Sequence, residues 1–92
     1  MVIEFDPAKD AQNIVLRGIS LAEAETLLTS FTVEWSDERR DYGETRIIAI
    51  GEIGGVEHVC VYTRRGEGVR PISLRRANRK ERYVYQQAKA GS

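Results

Sequence analysis

The fold turns on residues 45–74, TRIIAIGEIGGVEHVCVYTRRGEGVRPISL. Three stretches rich in β-formers, Thr45–Gly51, Val56–Arg64 and Val69–Leu74, are separated by Gly54-Gly55 and by Arg65-Gly66-Glu67-Gly68. Short apolar runs bounded by glycines read as strands joined by tight turns, because glycine enters the left-handed backbone that such turns need. Connections this short can join only antiparallel strands. Upstream, Phe31, Val33 and Trp35 alternate with Thr32 and Glu34, which predicts a further half-buried strand with Trp35 in the core. The polar stretch Ser36–Glu44, SDERRDYGE, is the loop that follows it.

Working outward, Val2–Phe5 reads as a short strand. Asp6-Pro7 opens a helix, with Asp6 as N-cap and Pro7 at the first helical position, where its missing N–H costs nothing. Gly18 stops that helix after Arg17. Ser20 and Glu23 have the spacing of a capping box, and Ile19 and Ala24 that of a hydrophobic staple. Leu21, Ala24, Leu27 and Leu28 then supply an apolar stripe. At the other end, Leu74 to Ala88 reads as a helix with Leu74, Ala77, Glu81, Val84 and Ala88 turned inward. The expected fold class is α+β: one domain, residues 1–92, an antiparallel sheet with packed helices in the order β-α-α-β-β-β-β-α.

Composition excludes several classes. At 41% hydrophobic and 30% charged residues, the chain has the material for one modest core and is not disordered throughout. The single cysteine, Cys60, forms no internal disulfide, which fits a reducing compartment. With His58 it makes two ligands where a structural zinc needs four, so no metal or other cofactor is expected. MVIEFDPAKD lacks the basic, apolar pattern of a signal peptide, and runs such as Ile47–Ile50 are too short to span a membrane. The expected location is the cytoplasm. Cys60 reads as an inert buried thiol and His58 as a core or edge residue.

A formal net charge of zero conceals a strong segregation. Residues 1–63 carry five basic and twelve acidic residues, net −7, whereas residues 64–92 carry nine and two, net +7. Seven of those nine cations are arginines: Arg64, Arg65, Arg70, Arg75, Arg76, Arg79 and Arg82. Guanidinium forks recognise phosphate oxygens in bidentate fashion, which points to a polyanion and above all to RNA. Arg64 and Arg70 flank a turn and are expected to approach each other. On a helix from Leu74, Arg75, Arg79 and Arg82 would form one stripe and Arg76, Lys80 and Tyr83 the next. Tyr83 and Tyr85 offer rings for base stacking. A solvated basic helix face is the plain alternative.

Three ordered stretches resemble the BrnT family of type II toxins: IEFDPAKDAQNIVLRGISLAEA, ERRDYGETRIIAIG and VCVYTRRGEGVRPISLRRANRKERYVY. The resemblance implies a RelE-like, metal-independent endoribonuclease that arrests translation. Its implied partner is a BrnA-like antitoxin of the ribbon-helix-helix type, in a heterotetramer or higher complex that binds promoter DNA. Carried over position by position, it gives Arg64, Ser73, Arg75 and Glu81 as catalytic residues. Arg70, Arg76, Arg79, Lys80 and Tyr85 are the expected RNA contacts. Family members commonly carry Lys-His-Gly where this chain has Leu16-Arg17-Gly18. The alternative function is a non-catalytic module that binds nucleic acid or an acidic partner.

Overall fold

The computed structural model describes residues 1–92. Helix α1 (Pro7–Arg17) leads through a 3₁₀ turn (Leu21–Glu23) into a short α2 (Ala24–Leu28). Strands β1 (Val33–Ser36), β2 (Ile47–Ile53), β3 (Val56–Arg65) and β4 (Gly68–Arg76) follow, and α3 (Arg79–Ala90) closes the chain. The protein is α+β, and its sheet is an antiparallel meander in the order β1-β2-β3-β4.

The glycine turns behave as the sequence predicts. Gly54 and Gly55 both have positive φ, 59° and 78°, the backbone of a type I′ hairpin whose twist matches its strands. At the other close approach, a Cβ on Gly51 would lie 2.9 Å from Leu27 Cγ, so the missing side chain lets α2 settle onto β2.

The sheet is covered on both faces. Leu21, Ala24 and Leu27 pack on one face against Ala49, Cys60, Tyr62, Val69 and Leu74. On the other, Ala77 and Tyr85 cover Ile50 and Val59. Cys60 is buried as expected, and burial pushes its thiol up to about 12, far from a reactive thiolate. His58 is buried too, its Nδ1–H donating to the Val56 carbonyl at 2.7 Å.

Four sequence expectations need correction. The segment Val2–Phe5 forms no strand beyond an isolated parallel bridge, Ile3 to Val69. Val69 uses its outward N–H and C=O on Val2 and Glu4, but the next outward position on β4 is Pro71, which has no N–H to continue the ladder. Next, the last helix starts at Arg79, because pairing of Leu74 and Arg75 with Cys60 and Val59 overrides the local helical spacing. Thirdly, the capping box forms at Asn78/Glu81 instead of Ser20/Glu23; the Ser20 hydroxyl bonds Ala22 N–H and Asp10 Oδ1. Finally, Trp35 is 43% exposed and stands outside both core clusters.

Candidate nucleic-acid interface

Strand pairing sorts the basic residues onto opposite faces of the sheet. Ser73 lies opposite Val61 and Arg75 opposite Val59, on the face that α3 partly covers. By the same register Arg70 lies opposite Thr63, with a bulge at Val61/Tyr62 between the two halves of the ladder. Alternation along β1 and β2 adds Trp35 and Ile48 to this face. α3 covers only the Ile50–Val59 end. The strip holding Trp35, Ile48, Val61 and Ser73 stays half-buried or exposed, bordered by cations.

Arg64 stands elsewhere. It pairs with Val69, and its guanidinium lies 5.8 Å from the Tyr62 ring on the face packed by the 3₁₀ turn and α2. The hairpin therefore does not bring Arg64 and Arg70 together; their side chains leave the sheet on opposite sides. Arg64 and Arg75 are also separated along the sheet, by five residues of β3 or roughly 17 Å at strand rise. The expected stripe of Arg75, Arg79 and Arg82 does not exist, since Arg75 belongs to β4. Arg76 is exposed on the opposite face from Arg75, while Arg79, Lys80 and Arg82 are exposed on α3. Arg82 donates to the Ala77 carbonyl at 3.0 Å.

Where the open strip meets α3, Arg75 and Glu81 form a fork-to-fork pair, Nη1 to Oε1 at 2.9 Å and Nη2 to Oε2 at 2.8 Å. Oε1 also accepts from Asn78 N–H at 2.8 Å, closing the capping box. The hydrogen bonds from Arg75 hold the Glu81 carboxyl below its ordinary range, and Glu81 in turn raises Arg75. Glu81 is thus ionised at neutral pH with its oxygens engaged. Its geometry fixes the Arg75 fork at the strand–helix junction.

Tyr85 is not available for base stacking. It is 1% exposed, its ring packs edge-on against Phe31 at 5.7 Å, and its hydroxyl donates to Glu52 at 2.7 Å. Burial, then Glu52, pushes that hydroxyl up well beyond the usual phenol range. We expect Tyr85→Phe to cost about 1 kcal/mol, the net worth of one hydrogen bond, without altering RNA affinity. Thermal melting and an oligonucleotide titration check the two halves of that statement. Tyr83, 66% exposed, is the C-terminal tyrosine with a free ring.

The loop between β1 and β2 supplies residues that the charge count overlooked. Asp37, buried, accepts two bonds from the Arg39 side chain at 2.8 Å each, one from the Arg39 N–H at 3.2 Å and one from the Tyr42 hydroxyl at 3.0 Å. The Arg39 bonds hold its carboxyl far below the ordinary range. Arg39 lies near enough to Arg75 for their charges to repel. The Tyr42 ring sits 4.0 Å from the Arg46 guanidinium, and Glu44 pairs with Arg65 at 3.3 Å. Local acidity masked this cluster in the sequence, although the ERRDYGETR stretch holds Arg39, Arg40 and Arg46.

A family model described as "Ribonuclease toxin, BrnT, of type II toxin-antitoxin system" matches residues 5–81. No curated protein matches the chain. The family match spans α1, α2, the whole sheet and the junction that carries Arg75 and Glu81. The chain belongs to the BrnT family of ribonuclease toxins of type II toxin–antitoxin systems.

Proposed function

We propose that this chain is a RelE-like endoribonuclease that cleaves RNA without a metal ion and thereby inhibits translation in the cytoplasm. The observation that carries the reading is the Arg75 fork, fixed by Glu81 beside Ser73 on an open basic face. The RNA 2′-oxygen attacks the adjacent phosphorus as its proton leaves. The bond from phosphorus to the 5′-oxygen breaks, and that oxygen takes up a proton, leaving a 2′,3′-cyclic phosphate. Arg75 stabilises the charge that develops on the phosphoryl oxygens, and Arg70 binds the RNA backbone further along the strip. Ser73 orients the phosphate. Glu81 is a positioning residue, holding the fork, since an ionised and fully engaged carboxylate is poorly suited to proton transfer. Arg64 serves the RNA path from the other side of the hairpin, and Arg76, Arg79 and Lys80 bind flanking phosphates.

The face holds no histidine, because His58 is buried on the opposite side. Positioning and charge stabilisation therefore supply most of the rate. A BrnA-like ribbon-helix-helix antitoxin neutralises the toxin, in a heterotetramer or larger complex that binds promoter DNA. The test is incubation of the purified protein with RNA in EDTA, with end-group analysis of the products. Cleavage to cyclic phosphates is expected. Salt-sensitive binding without cleavage would leave the protein as a nucleic-acid-binding module.

A further inference from the structure

Two buried polar atoms form no hydrogen bond: Arg46 Nε and Thr63 Oγ1. They are neighbours. The ladder pairs Ile47 with Tyr62, so one step further sets Arg46 opposite Thr63, and Thr63 pairs with Arg70 on its other side. Asp37 N–H bonds the Arg46 carbonyl at 2.8 Å, which extends the row to the loop. The result is a cross-strand row, Asp37–Arg46–Thr63–Arg70, on the same face as Ser73 and Arg75. Thr63 is 1% exposed, and Tyr42 lies over the Arg46 guanidinium.

An unpartnered buried donor destabilises the free protein, so one side by side with another calls for a shared acceptor. The donors here are a hydroxyl and a guanidinium Nε–H, with the Arg70 cation beside them. That is a set for an oxyanion with several acceptor oxygens, and a phosphodiester fits it. Asp37 does not compete, because Arg39 and Tyr42 already occupy its oxygens. The row lies two residues, about 7 Å, from the Val61–Ser73 pair, a spacing that suits the next phosphate along one extended strand.

We infer that Arg46, Thr63 and Arg70 form a phosphate subsite for the nucleotide adjoining the one held at Ser73 and Arg75, opened when Tyr42 lifts from Arg46. This rests on the reading of the chain as an RNA-binding nuclease. Tyr42 then acts as a plug that entering RNA displaces, and the loop clip between Glu44 and Arg65 sets how far it moves.

The test is anisotropy titration of a 2′-O-methyl oligonucleotide, which binds but has no nucleophile for cleavage. Thr63→Val keeps the shape and removes the hydroxyl. It is expected to raise Kd about tenfold, the worth of one charge-assisted hydrogen bond, while Tm holds or rises. Thr63→Ser restores the hydroxyl and should bind like the parent. Arg46→Gln should weaken binding and lower the salt slope by about one, whereas Arg17→Gln on α1 serves as the surface-charge control. If the parent binds the oligonucleotide and Thr63→Val and Arg46→Gln bind it equally well, the subsite is wrong and the nuclease reading survives. If the parent binds no RNA, both fall. Loss of polyglutamate binding in these variants, with RNA binding intact, would assign the row to an acidic protein partner and also overturn the proposal.

Discussion

Arg75→Ala is expected to lower RNA cleavage by on the order of 10²–10³-fold, the cost of removing one preorganised donor aimed at developing charge. The expectation follows from how the fork is built. Both Nη groups are held in one plane by Glu81, and Glu81 is itself held by the Asn78 backbone at the start of α3. A phosphoryl group approaching the open face meets a guanidinium that has already lost its freedom to rotate. Arg75→Lys keeps the charge and loses the fork, so it should recover only a minor part of the rate. Glu81→Gln keeps the helix cap while releasing its charge on Arg75, and should fall between the parent and Arg75→Ala. Single-turnover cleavage, with melting curves alongside, reads the series. An Arg75→Ala protein that folds and cleaves at the parent rate would move the centre away from β4, towards Arg64.

The particular residues show where the sequence was readable. Gly54-Gly55 announced its turn because positive φ is a local demand that glycine alone meets cheaply. The strands of the meander were legible for the same reason, as period-two patterns between such turns. Arg75 was expected on a helix and lies on β4. Leu74-Arg75-Arg76-Ala77 has good helix formers at helical spacing, and only the distant partners Val59 and Cys60 make it a strand. Tyr85 was misjudged because a tyrosine near arginines reads equally well as a stacking platform or as core. Its burial depends on Phe31 and Glu52, over thirty residues away. Arg46 and Thr63 gave no signal at all, since their meeting depends on strand register, which the sequence alone does not display.

The same register explains why Asn13 carries the largest expected effect on stability. α1 buries no apolar side chain: Ile14, Val15 and Leu16 are exposed, and its one buried residue is Asn13. That amide lies along the outer edge of β4. Its Nδ2 donates to the Leu74 carbonyl at 2.9 Å and to the Ile19 carbonyl at 2.8 Å, and its Oδ1 accepts from Leu74 N–H at 3.2 Å. Asn13 thus pairs with Leu74 as a neighbouring strand would, closing an edge that Pro71 leaves without a ladder. Asn13→Ala strips the partners from a buried N–H and a buried C=O together. The expected loss is about 3 kcal/mol, a fall in Tm on the order of 15 °C for a domain of this size. Hydrogen exchange locates the damage, with the Leu74 amide losing protection while those of β2 stay protected. Asn13→Asp should do worse than alanine, because it turns a carboxylate towards two carbonyl oxygens. If Asn13→Ala melts within a few degrees of the parent, α1 is held by something other than this amide. The Asp10 bonds to Ser20 and Leu21 are the next contacts to remove.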